Sequence, residues 1–171
     1  MIHIETRLGD IIGFDGDAIV NPANTALGGG GGLCGLIFQE AGSEKLTEAC
    51  QKIGYCDFGD AVVTPGFKLK AKYIIHTATP AYGQHNGDES DILKSCYWES
   101  LRLAGENDIK SIAFPMLSTG IHGYPKEEAT KTAFEALSEF SEDNPNSKIK
   151  VVMYALDQND FDILSESFTN L

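Results

Sequence analysis

The sequence predicts an α/β fold: a three-layer α/β/α sandwich around a mixed, mostly parallel sheet of about six strands. Short apolar runs of strand length alternate with longer segments whose apolar residues recur at three-to-four spacing. Strands separated by helices form a parallel sheet covered on both faces. Two strand-like segments after Asp60 have no helix between them, and such neighbours can pair antiparallel, which makes the sheet mixed.

The elements follow in order. Residues 2–8 alternate sides as a strand, and Ala18, Ile19 and Val20 form a short buried one. Residues 36–38 and 46–53 read as two short helices, with Ser43 expected as the N-cap of the second. Residues 61–64 are a strand stopped by Pro65 and Gly66, and residues 73–77 are another. A turn-rich loop, 80–87, leads into a long helix over 88–107. Its apolar face is Leu93, Cys96, Tyr97, Leu101 and Ala104. Residues 111–117 are a strand, and 126–140 a helix with Ala129, Ala133, Ala136, Leu137 and Phe140 inward. A last strand, 149–156, and a last helix, 160–168, complete the pattern.

Bulk properties narrow the function. The 171 residues suit one domain, 1–171, and the 42% hydrophobic content supports a sizeable core. No run of about 18 apolar residues is present, and the N-terminus has no basic region leading into an apolar stretch. A cytoplasmic location is therefore expected. The net charge of −12 argues against non-specific binding to nucleic acid or to anionic membranes. It leaves room for a single small anion held by backbone N–H groups. Cys34, Cys50, Cys56 and Cys96 show neither Cys-x-x-Cys nor zinc-site spacing. Free thiols in a reducing compartment are expected, with no metal and no cofactor.

Ligands of open α/β sheets sit outside the carboxyl ends of the strands. Two loops there have unusual composition, 21–35 and 118–125. The first contains five consecutive glycines, 28–32, whose ordering costs backbone entropy that a function should offset. Glycines allow close backbone approach and can aim successive N–H groups at an anion, and a helix starting near Gly35 adds the positive end of its dipole. A diphosphate fits. The segment 30–35 also matches Gly-x-Gly-x-x-Gly. A dinucleotide fold would place those glycines directly after the strand, and here 21–29 intervene. No Gly-Lys-Ser/Thr follows, so a Walker loop is excluded. In the second loop, Ser118, Thr119, Gly120, Ile121, His122 and Gly123 suit either a second phosphate clamp or an ordinary strand–helix turn. Asp10, beside Ile11, reads on its own as a turn former.

Taken in register, these segments resemble the macrodomain family. The resemblance runs from Gly9, Asp10 and Ile11 through Asp17 to Asn24 and the glycine run. It continues through 61–66 and 72–77 to Ala113, Phe114, Pro115 and residues 118–125. The chain is most similar to the MacroD type, which removes mono-ADP-ribose from proteins and deacetylates O-acetyl-ADP-ribose. The resemblance implies ADP-ribose, or an ADP-ribosylated protein, as the partner. Asp10 would accept from the adenine amino group with the Ile11 N–H nearby. Asn21 and Asn24 belong to the ribose-side loop, and Asn24 would bind the distal ribose. Gly29, Gly30, Gly31, Gly32 and Leu33 would border the diphosphate. Ser118, Thr119, Gly120, Ile121, His122 and Gly123 would close over it, and Leu156 would lie against adenine. Departures accompany the match. Pro22 replaces an alanine, and Cys34 stands where the MacroD pattern has an aspartate that positions water. A thiol is mostly protonated at pH 7 and bonds weakly. Asn24, His122 and Cys34 are the candidate catalytic residues, and a non-catalytic ADP-ribose reader is the alternative function.

Overall fold

The computed structural model describes residues 1–168; the last three residues of the expected domain lie outside them. Six strands form one sheet: β1 (His3–Leu8), β2 (Ala18–Ala23), β3 (Ala61–Pro65), β4 (Tyr73–Ala78), β5 (Ser111–Phe114) and β6 (Lys150–Ala155). The helices are α1 (Gly32–Ala41), α2 (Ser43–Ile53), α3 (Glu89–Glu106), α4 (Lys126–Asp143) and α5 (Gln158–Phe168). The sheet order is β1-β6-β5-β2-β4-β3. Every pairing is parallel except β3 with β4, whose short connection allows the antiparallel return. The mixed, three-layer α/β/α prediction therefore holds.

Strand alternation sorts the core into two halves. Ile19, Ile74, Ala113 and Val152 pack with Ile37, Phe38, Leu46 and Cys50 of α1 and α2. Val20, Ile75, Ile112, Phe114 and Val151 pack with the apolar faces of α3, α4 and α5. Full burial of each large aliphatic side chain contributes roughly 1.5–3 kcal/mol. All five apolar positions predicted on α3, and all five on α4, are buried.

Three of the differences from expectation lie at turns or strand ends. Helix α1 begins at Gly32 rather than near Gly35, so the last glycine of the run lies in its first turn. Strand β5 ends at Phe114, where Pro115 removes a ladder donor. Gly42, not Ser43, occupies the N-cap of α2, and no side chain caps that end. Gly42 also terminates α1, donating its N–H to Phe38 O at 3.1 Å with φ +105°. That conformation suits glycine and would strain a serine. Among the described residues, no helix is long and apolar enough to cross a membrane.

Candidate functional site

The five parallel strands end on the same side of the sheet, and a cavity of about 380 Å³ lies there. Its floor is built from strand ends: Gly9 after β1, Pro22 to Asn24 from β2, Thr79 after β4, Pro115 after β5 and Leu156 after β6. One wall is Gly30, Gly31, Gly32, Leu33 and Cys34; the other is Ser118, Thr119, Gly120, Ile121 and His122.

The first wall is braced from within. Leu27 N–H donates to Asn24 O at 3.1 Å, turning the chain with Leu27 buried at φ +58°. The Asn24 carboxamide then grips Gly28 in both directions: Oδ1 accepts from Gly28 N–H and Nδ2 donates to Gly28 O, each at 3.0 Å. At Gly35 the helix presses on the loop so closely that a Cβ would sit 2.2 Å from Gly30 O. Among the described residues, the N–H groups of Gly31, Gly32 and Leu33 donate to no acceptor. They open the first turn of α1, where the helix dipole is positive.

The second wall is braced as well. Its hydroxyls donate to the backbone. Ser118 Oγ donates to Pro80 O at 2.8 Å and Thr119 Oγ1 to Met116 O at 2.7 Å. The donors left for an anion are the N–H groups of Gly120, Ile121 and His122, which reach no acceptor among the described residues. Tyr124 N–H donates to Ser118 O and Tyr82 N–H to His122 O, both at 2.9 Å, so the loop is tied at both ends. His122 Nδ1 lies 3.1 Å from Pro80 O and 3.1 Å from Thr79 Oγ1. A carbonyl only accepts, so Nδ1–H donates to Pro80 O.

The remaining predicted residues divide. Ile11 is buried and lines the cavity, while Leu156 is exposed at the lip. Asp10 is exposed and caps the 3₁₀ turn Ile11–Gly13, its Oδ1 accepting from Ile12 N–H at 3.0 Å, which is the turn-former role. Gly29 packs on the Phe38 ring, and Gly123 makes a turn at φ +67°; neither borders the cavity. Asn21 is wholly buried and also does not line it. Its Nδ2 reaches Cys34 Sγ at 3.6 Å and His76 Nδ1 at 3.0 Å.

Cys34 lines the cavity but is buried, and burial pushes its thiol above the ordinary range. It is no substitute for a carboxylate base. All four cysteines are unpaired. His76 is buried too, and desolvation lowers its pKa to about 4, so the ring is neutral at pH 7. Among the described residues, no group of three or more His, Cys, Asp or Glu could hold a metal ion.

Sequence reasoning missed Thr79, Tyr154 and Asp160, which also line the cavity. Asp160 Oδ1 accepts from Lys126 Nζ at 2.6 Å, joining α5 to the start of α4. The strand-end rule that flagged the two loops applies equally to Thr79, one residue beyond β4. Nothing in the local sequence marks Asp160 or Tyr154.

Comparison with known proteins gives a consistent result. The Macro domain family pattern matches residues 20–133. The protein named ADP-ribose glycohydrolase MACROD2 from Xenopus laevis is 46% identical over 156 residues, covering 91% of this chain. The chain spans only 37% of that protein's length. The Oceanobacillus iheyensis macrodomain solved with ADP superposes with a TM-score of 0.90 at 33% identity, covering 98% of this chain and 90% of that one. The Trypanosoma brucei macrodomain solved with ADP-ribose gives 0.87 at 34% identity, covering 96% and 68%.

Proposed function

The chain belongs to the macrodomain family, and from that premise we propose that it binds ADP-ribose in the strand-end cavity and hydrolyses mono-ADP-ribose from modified proteins, with O-acetyl-ADP-ribose as a second substrate. The observation that carries the binding is the pair of facing walls. Gly31, Gly32 and Leu33 on one side and Gly120, Ile121 and His122 on the other offer backbone N–H groups with no acceptor of their own among the described residues. A diphosphate between them receives donors from both sides without any lysine or arginine, which agrees with a chain of net charge −12. Adenine then lies toward Asp10, Ile11 and Leu156, and the distal ribose toward Asn24, Leu33 and Cys34.

The chemistry rests on positioning. Asn24 keeps one amide hydrogen and one carbonyl lone pair beyond its bonds to Gly28, enough to hold ribose hydroxyls. Water attacks the anomeric carbon of the distal ribose, the bond from that carbon to the ester oxygen breaks, the modified side chain leaves as a carboxylate, and the anionic phosphate beside it accepts the water's proton. Orientation and electrostatics replace a dedicated base.

One observation favours the second reading, a reader that binds without cleaving: the protonated Cys34 thiol where a carboxylate would orient water. Release of label from a protein mono-ADP-ribosylated on carboxylates separates the two. The hydrolase reading expects release by wild type, abolished in Asn24→Ala. Because Asn24 also braces the glycine loop, ADP-ribose affinity of that variant is measured alongside. Release by Cys34→Asp but not by wild type identifies the reader. Loss of activity in His122→Ala with binding intact makes the imidazole the base and overturns phosphate assistance.

A further inference from the structure

Beneath the ribose end of the cavity, a one-way chain of hydrogen bonds crosses the sheet. Pro65 O can only accept, so Thr64 Oγ1 donates to it at 3.1 Å. Thr64 Oγ1 is then the acceptor for His76 Nε2–H at 2.9 Å. A neutral ring protonated on Nε2 presents a lone pair at Nδ1, which accepts from Asn21 Nδ2–H at 3.0 Å. The other amide hydrogen of Asn21 points to Cys34 Sγ at 3.6 Å. The Cys34 thiol in turn points to Gly28 O at 3.7 Å, the carbonyl that also accepts from Asn24 Nδ2 at 3.0 Å. Cys34 and Asn24, which border the cavity, therefore meet at one acceptor. His76, which does not line it, stands at the other end of that chain.

We propose that His76, acting through Asn21, is a positioning residue: it orients the Cys34 thiol and, at the shared carbonyl of Gly28, the Asn24 carboxamide that meets the distal ribose. The residues are distant in sequence but adjacent in the sheet, since Asn21 of β2 and His76 of β4 are register partners. Burial of all three central members, His76, Asn21 and Cys34, removes water as a competing partner and fixes the direction of the chain. Only the ribose contact of Asn24 rests on the proposed function; the orientation itself does not.

The first test is the ring tautomer, read by two-bond proton–nitrogen correlation on histidine-labelled protein at pH 7. His76 is expected neutral and protonated at Nε2. Protonation at Nδ1 would reverse the chain and overturn the proposal. The second test compares His76→Asn, whose Oδ1 stands near the Nδ1 position as an acceptor, with His76→Leu, which offers none. The Asn24 side-chain amide resonance is expected to stay near its wild-type position in the first and to move in the second. ADP-ribose affinity should change less than about threefold in His76→Asn and fall about five- to tenfold in His76→Leu, the scale of one lost hydrogen bond. Identical behaviour of the two variants would show that His76 acts only as bulk. Should either fail to fold, Cys34→Ala and Cys34→Ser probe the other end. The Asn24 resonance should move in the alanine variant and return in the serine variant, and an unmoved resonance in Cys34→Ala overturns the proposal. A chain that binds no ADP-ribose would refute the proposed function, while tautomer and amide resonance still decide the positioning.

Discussion

Replacing Gly35 by alanine drives a methyl group into the backbone of the glycine loop. The added carbon would stand 2.2 Å from Gly30 O and 3.3 Å from Gly30 C. An unstrained carbon–oxygen contact is about 3.3–3.6 Å, so the loop must retreat by roughly 1 Å. Forced overpacking costs about 1–3 kcal/mol, and the better helix propensity of alanine returns about 0.5–1 kcal/mol. A net loss of about 1–2 kcal/mol lowers Tm by roughly 2–8 °C at this chain length. Binding should suffer more. A shift of that size pulls the N–H groups of Gly31, Gly32 and Leu33 off the diphosphate, and one lost bond to a charged oxygen is worth about 1.5–3 kcal/mol, roughly a 10- to 150-fold weaker Kd. Gly28→Ala is the control, because its added carbon meets nothing within 4 Å and its φ is not left-handed. It should stabilise by about 0.4–1 kcal/mol through the unfolded state. Thermal scans and ADP-ribose calorimetry on both variants provide the measurement. A Gly35→Ala protein that melts and binds like wild type would refute the claim that helix α1 braces the loop.

Three further outcomes are expected. Asp10→Asn keeps an acceptor for Ile12 N–H but removes the charge offered to adenine, so calorimetry should show binding weakened by roughly 1–3 kcal/mol with little change in Tm; unchanged affinity would leave Asp10 as a cap only. His76 has a folded pKa of about 4, below its ordinary 6.5, so the unfolded chain binds more protons between those values. Its contribution to stability is complete above pH 6.5 and falls by about 3 kcal/mol as the pH drops toward 4. Denaturant titrations from pH 7.5 to 4 should show a steeper loss for wild type than for His76→Leu, and parallel curves would contradict it. Burial raises Cys50 to about 11 and Cys96 to about 12, and Cys34 and Cys56 also move up. A thiol-exchange reagent should therefore react slowly with the native chain and with four thiols after denaturation. ADP-ribose should further protect Cys34, the one cysteine that lines the cavity.

Periodicity found the helices because burial depends on spacing alone: Leu93, Cys96, Tyr97, Leu101 and Ala104 face the core as their intervals require. The two cavity walls were legible because loops of unusual, glycine-bearing composition leave the strand ends there. Junctions were less legible. Gly42 closes one helix and opens the next, so its φ of +105° outweighs the capping preference of the neighbouring serine. The partners of the Ser118 and Thr119 hydroxyls were not legible, because composition does not reveal that Pro80 O and Met116 O lie within reach. The link between Asn21 and His76 was hidden for the same reason. It depends on the parallel register of β2 and β4, and nothing local to either residue encodes that register.

The outermost parallel pair has a consequence for how the protein comes into being. Among the described residues, strand β1 has no sheet partner but β6, and Gly9 N–H is held by Ala155 O at 2.9 Å. This end of the cavity, with Ile11 on one side and Leu156 on the other, is thus made from segments far apart in the sequence, the first translated well before the second. At about 5–20 residues per second, a ribosome needs on the order of ten seconds to travel between them. Throughout that interval β1 is a strand without a ladder, exposed to any other edge that offers one. Ligand cannot rescue the nascent chain by binding early, because the Leu156 side of the cavity has yet to be translated.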